Sequence, residues 1–349
     1  MFREYVNQLR VGRRLMVSLL SALFVVLLAT SNAIAVPWNS QNFVTKWTVS
    51  GTNPKIVLPI YGEKLQYSCY LSTESTSATF TSPKNYYGGV LEIKEVTKNV
   101  TDKKLKSGQT YILEIKATNF RIRMSDNGSR AFLKDILCWG SKMNYISMFA
   151  AFKDCAELDE ITALDAPKGE FRNIQSMFQG CTKLSKIKSL DKWDVSKIEN
   201  MSNVFSGCLA FTGDGIGSWK PANCEKFQSM FSGCTKFNQN LAGWKNYTSK
   251  AKYFQGMFND CIAFLGDGLD EWNVSNAKNF SQMFYGCRNL AFKPDNWDVS
   301  KAEFMSEMFY KCSALDNEKK VNFEKWADKV LKVKSFANMF AYCTAFTGE

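Results

Sequence analysis

The chain has 349 residues, enough for two folded units, and its 45% hydrophobic and 22% charged content argues against wholesale disorder. It contains no histidine, which removes histidine general acid–base catalysis, every Ser-His-Asp or Cys-His pairing and histidine metal ligands. The formal charge of +11 is carried after residue 35 by 35 lysines against 5 arginines; nucleic-acid sites favour arginine with clustered aromatics, so nucleic acid is not an expected partner, while weak attraction to anionic surfaces or glycans stays open.

At the N-terminus, Arg3, Arg10, Arg13 and Arg14 precede an apolar stretch over residues 17–30, and Ala33-Ile34-Ala35 fits the small-residue cleavage rule. Residues 1–35 therefore read as a secretory signal peptide cut between Ala35 and Val36. An uncleaved membrane anchor is the alternative, although the apolar core is short against the roughly 20 residues a spanning helix needs. With the signal removed no membrane span is expected, and the chain reads as secreted or held at the cell surface.

Residues 36–125 form the next unit. Leu65, Tyr67, Cys69 and Leu71 alternate with polar neighbours, and Tyr111, Leu113, Ile115 and Ala117 form a second alternating set. Residues 43–50, 56–60 and 90–96 are also strand-like, and Gly62, Gly88, Gly89 and Gly108 punctuate them. The pattern predicts a small antiparallel β-sandwich with no chemical motif.

Residues 126–349 carry a repeat. A Met-Phe-x-Gly-Cys-like block ends on Cys181, Cys208, Cys234, Cys261, Cys287, Cys312 and Cys343, with a weaker first copy ending on Cys155. The steps between these cysteines are 26, 27, 26, 27, 26, 25 and 31 residues. Three residues before each stands Phe152, Phe178, Phe205, Phe231, Phe258, Phe284, Phe309 or Phe340. Seven before, ten before and three after are apolar as well, as in Met201, Ile198 and Phe211 around Cys208. One coil cannot bury such a face, but stacked coils can, each Phe lying on the Phe of its neighbour. The −10, −7, −3, 0 spacing also matches one face of a helix, so a short strand and a short helical turn per coil, an α/β arrangement, are expected.

Six tryptophans recur 15 or 17 residues before the cysteines: Trp193, Trp219, Trp244, Trp272, Trp297 and Trp326. Packing at a corner is the plainer reading; a row of aromatics gripping sugar rings is the functional one. Gly213-Asp214-Gly215 and Gly266-Asp267-Gly268 read as tight turns, since they lack the dense acidic spacing of calcium loops. No metal or cofactor is expected. Of the eleven cysteines, the eight in the recurring slot and Cys224 read as buried thiols behaving as small hydrophobes. Cys69 and Cys138 remain as a candidate disulfide pair.

The Trp-Asp-Val-Ser…Asn-Met-Ser…Val-Phe…Gly-Cys run over residues 193–208 resembles the repeat of BspA-like leucine-rich-repeat bacterial surface proteins, a group once catalogued as a mycoplasma domain of unknown function. Residues 43–47, 111–116 and 136–140 resemble the segment those proteins place ahead of their repeats, often a polycystic-kidney-disease-like β-sandwich. The chain departs from the group where Tyr70-Leu71-Ser72-Thr73-Glu74 replaces the usual Trp-Gly-Asp-Gly turn, and it ends without a cell-wall sorting motif. The resemblance implies a leucine-rich-repeat-like, right-handed solenoid of about eight coils behind a small all-β sandwich-like domain. It also implies an exported surface protein linked to adhesion, with no catalytic residues to carry over.

The final residues from Thr344 to Glu349 match those from Leu209 to Asp214, so further repeats or an anchor are expected beyond Glu349. The leading expectation is a non-enzymatic protein that binds a protein or glycan on another cell or matrix. A structural spacer is the second reading. A secreted hydrolase built on Asp267 with Asp270 or Glu271 is the third.

Overall fold

A computed structural model describes residues 38–73, 80–82, 89–97, 102–124, 128–316 and 323–346. The expected signal peptide with its Ala35 and Val36 cleavage point, Gly88, Glu74 and residues 347–349 lie outside the described residues. The chain divides into Met1–Asn39 and the compact unit Ser40–Glu349. No helix among the described residues is long and apolar enough to cross a membrane.

The strands are β1 (Phe43–Thr48), β2 (Ile56–Leu71), β3 (Gly89–Ile93), β4 (Thr110–Ile122), β5 (Leu133–Cys138), β6 (Tyr145–Ser147), β7 (Glu160–Ile161) and β8 (Lys186–Ile187). β4 lies between β2 and β1, its aromatic and β-branched residues suiting a pleated, buried surface. Tyr111, Leu113 and Ile115 alternate along it into the core, as the period-2 pattern requires. β1 also pairs antiparallel with β5, and β5 then pairs parallel with β7, and β7 with β8. The sheet order is thus β3-β2-β4-β1-β5-β7-β8, with β6 parallel to β4.

This corrects the expected sandwich. The described strands form one mixed eight-stranded sheet rather than two facing sheets. Alternation demands that one face be covered; it does not say by what. Here the first repeat supplies cover, with Phe43 of β1 meeting Phe152 at a ring-centroid distance of 6.3 Å and Trp139 at 6.1 Å.

The expected α/β, leucine-rich-repeat-like solenoid is overturned as well. The described residues contain no α-helix, only five 3-10 turns: Gly128–Phe132, Leu190–Lys192, Ile216–Ser218, Ala242–Trp244 and Glu324–Trp326. The stretch that looked helical is a run of tight turns. Met177 N–H bonds to the carbonyl of Ile174, Gln179 to Ser176, and Cys181 to Phe178. The amides between them leave the repeat: Ser176 donates to Ser202, Phe178 to Val204 and Gly180 to Ser206, at 2.9, 2.9 and 2.7 Å.

Backbone handedness shows why no helix forms. A right-handed helix needs negative φ at every residue. Here φ is +58° at Ser176 and +75° at Gly180, and the same two positions are left-handed at Asn203 and Gly207, Ser229 and Gly233, and Gln282 and Gly286. The left-handed residue every fourth position reproduces a helix-like spacing of inward side chains while sending alternate amides across to the neighbouring repeat. Isolated parallel bridges continue this pairing along Asn173, Asn200, Lys226, Tyr253, Asn279 and Phe304.

Candidate functional site

The predicted ladder residues come together inside the stack. Phe178, Phe205, Phe231, Phe258, Phe284, Phe309 and Phe340 stack on one another, starting from Phe152, with centroids 5.5 to 5.9 Å apart and planes within 14°. This offset stacking is a favourable aromatic geometry. Beside it, each ladder cysteine from Cys181 onward donates its thiol to the carbonyl of the ladder Phe one repeat earlier. Cys181 reaches Phe152, and Cys208, Cys234, Cys261, Cys287, Cys312 and Cys343 reach the next six, at 2.8 to 3.1 Å. The slot therefore takes a small side chain that is also a donor, a role sequence reasoning missed. Burial pushes these thiols up from their ordinary value, to about 11 for Cys343 and well above the ordinary value for Cys208. Raised, enclosed thiols of this kind are chemically inert.

Cys69 and Cys138 do not form the candidate disulfide; both are free. Cys69 stands on β2 opposite Leu113 of β4, and Cys138 on β5 opposite Val44 of β1. Three strand spacings separate β2 from β5, about 14 Å, whereas a disulfide needs Cα atoms within about 7 Å. Cys138 instead donates to Ser40 O and Asp165 Oδ2, each at 3.4 Å.

The tryptophan row is buried throughout, so it cannot present ring faces to sugars. Its indole N–H groups hold neighbouring repeats: Trp219 donates to Leu190 O, Trp244 to Ile216 O, Trp272 to Leu241 O, Trp297 to Leu269 O and Trp326 to Pro294 O. Trp193 packs edge-on against Trp139 at 5.4 Å. The Gly-Asp-Gly loops turn on left-handed glycines, with φ +83° and +92° at Gly213 and Gly215 and +86° and +81° at Gly266 and Gly268. Asp214 is engaged by Lys186 and Gln239. No hydrogen bond joins Asp267, Asp270 and Glu271, and Glu271 is ion-paired with Lys245 at 2.7 Å. Among the described residues no group of three acidic or cysteine side chains is placed to hold a metal.

The outward face changes character along the stack. Two residues before the cysteines stand Gln179, Ser206, Ser232 and Asn259, and then Tyr285 and Tyr310. Those two rings stack at 4.6 Å and 9°, and Tyr342 meets Tyr310 edge-on at 5.1 Å while remaining 67% exposed. The Lys311 ammonium lies over the Tyr310 and Tyr342 rings at 5.3 and 5.9 Å. Partial burial and the neighbouring Tyr342 and Tyr285 raise the Tyr310 hydroxyl above its ordinary value.

In the same repeats, Lys278, Lys301, Glu303, Lys332 and Lys334 line an open groove of about 440 Å³. Glu303 meets Lys334 at 2.8 Å and Lys278 at 3.6 Å, and the Lys334 hydrogen bond is the chief reason its carboxyl lies below the ordinary range. Phe304, 38% exposed, lies under the Lys334 ammonium at 5.3 Å. Neither feature was foreseen. The signals were the change from polar residues to Tyr at one repeat position and the Lys332-Val333-Lys334 triplet.

Residues 146–267, 172–293 and 245–349 each match one family, described as Mycoplasma protein of unknown function, DUF285. Together these overlapping matches span residues 146–349, more than half of the chain. No curated protein and no solved structure matches the chain.

Proposed function

The chain belongs to the DUF285 family of Mycoplasma proteins of unknown function, and on that premise we propose that it is an exported surface protein of the BspA-like group that binds a protein or glycan without transforming it. The observation that carries this reading is the row of Tyr285, Tyr310 and Tyr342 on the outside of the last repeats. Water does not favour exposed rings, and aromatic residues are enriched where surfaces bind partners. Earlier repeats fill the position of Tyr285 and Tyr310 with Gln179, Ser206, Ser232 and Asn259, and that of Tyr342, one residue nearer the cysteine, mostly with glycine, so stacking alone does not require Tyr at either. The absence of histidine from the whole sequence leaves no histidine acid–base catalyst. The N-terminal signal pattern supports export.

The test is binding of the full chain to arrays of matrix proteins and glycans, with the Tyr310→Ala/Tyr342→Ala double variant alongside. Loss of affinity of about tenfold or more, as expected when aromatic anchors are truncated, with an unchanged melting temperature supports the proposal. Equal binding by the parent and the variant would place the interaction elsewhere. No binding to any array member would favour a spacer role.

A further inference from the structure

Nine residues before each ladder cysteine from Cys181 onward runs a column of charged side chains. Its first four members pair off one to one, Arg172 with Glu199 at 2.6 Å and Lys252 with Glu225 at 2.9 Å, while Glu199 and Glu225, and Lys252 and Lys278, are like-charged neighbours. In the last three repeats the pairing is no longer one to one. Glu303 is shared by Lys278 and Lys334, so one carboxylate faces two ammonium groups. Lys301 and Lys332, each two residues before a member of that set, enter the same groove, whose lining holds no second carboxylate. Lys301 donates to the neutral Asn276 Oδ1 at 2.6 Å. Lys332 is exposed and makes no hydrogen bond or ion pair among the described residues.

Four ammonium groups against one carboxylate leave the groove three charges positive. The arrangement is also directional. Lys278, Lys301 and Lys332 belong to three successive repeats, and stacked repeats advance by about 4.8 Å. Cationic groups spaced along one axis suit a chain of regularly spaced anions better than a single ion. The exposed edge of the groove carries Phe304, whose ring offers an apolar face beside the charges. There is no arginine among the lining residues, the side chain that nucleic-acid sites favour.

We propose that this groove binds the carboxylate or sulfate groups of a linear anionic glycan lying along the last three repeats. The inference rests on the reading of the chain as a binding protein and supplies the ligand class. Long-range attraction would draw the polyanion to the lysines, and the interaction should weaken as salt screens it.

The experiment titrates the full chain with heparin as a sulfated probe, dextran as a neutral one and a single-stranded oligonucleotide as a phosphate one. Lys301→Gln/Lys332→Gln is compared with Lys220→Gln/Lys236→Gln, two exposed lysines elsewhere on the stack. The groove pair should lose about tenfold or more in heparin affinity and the control pair less than about twofold, with dextran unbound. Equal loss in both pairs would mean diffuse charge attraction and overturn the proposal. Tighter groove-dependent binding of the oligonucleotide would overturn the glycan assignment. If an array partner is lost on Tyr310→Ala yet heparin is not bound at all, the binding function stands and the anionic-glycan site falls.

Discussion

The front sheet and the repeat stack secure their backbones against different partners. In the sheet, Phe43 pairs with Ile115 and Val44 with Cys138, so each strand depends on segments far along the chain. In the stack, Ser176 bonds to Ser202, Ser202 lies beside Gln228, and Ser229 bonds to Gln255, so each repeat depends on the next. The first arrangement gives way as a unit. The second resembles a one-dimensional array whose stability is a sum of repeats and neighbour contacts. The stack also holds nine of the eleven thiols, while the sheet holds Cys69 and Cys138.

Alkaline pH should separate the two regions most strongly. Burial holds Cys224 at about 12 and Cys343 at about 11 against an ordinary 9.0. Above pH 9.0 the unfolded chain therefore loses thiol protons that the folded chain keeps, and stability falls as pH rises toward the folded values. Each such thiol contributes a loss of about 1.4 kcal/mol per pH unit in that window. Thermal stability should hold below about pH 8 and collapse above pH 9.0, with amide exchange rising in the stack before the sheet. Unchanged melting up to about pH 11 would contradict the buried-thiol account.

Truncating one ladder ring comes next. Phe231→Ala should cost about 3–5 kcal/mol, the usual range for a fully buried Phe. Hydrogen exchange should report the damage in the repeats around Cys208, Cys234 and Cys261, with β1, β4 and β5 still protected. Leu113→Ala, in the middle of β4, should instead lower protection across the whole sheet. A single cooperative loss in both variants would refute the contrast between the regions.

The smallest effect concerns handedness. Gly207→Ala should cost about 1 kcal/mol because φ there is +75°. A Cβ would meet nothing closer than Gly180 Cα at 3.6 Å, so the cost would be conformational rather than steric. Chemical denaturation of the two proteins measures it, and an unchanged midpoint would show that left-handed backbone is not what the position demands.

Much of the stack was readable in advance. Phe178, Cys181 and their equivalents announce themselves as buried because burial selects side-chain type, and it does so every 26 or so residues. The row from Trp193 to Trp326 was legible as packing for the same reason. The helical turn was misread because left-handed residues four apart imitate helical spacing; Gly180, Gly207, Gly233 and Gly286 carried the hint of positive φ at one of the two positions, whereas Ser176, Ser229 and Gln282 at the other gave little. The sandwich was misread because alternation along β2 and β4 reports a covered face but not the covering element. The groove and the tyrosine row escaped notice because each needs side chains from three repeats.

Register and burial follow from the residues alone, since apolar side chains at a fixed period can be hidden only by stacking. The destinations of the amides do not. Every peptide N–H is chemically alike, and whether Phe178 N–H turns back on its own chain or crosses to Val204 depends on handedness set by the neighbouring repeat. The same holds for Lys278, Lys301 and Lys332: each is an ordinary lysine in its own repeat, and only stacking brings them around one glutamate.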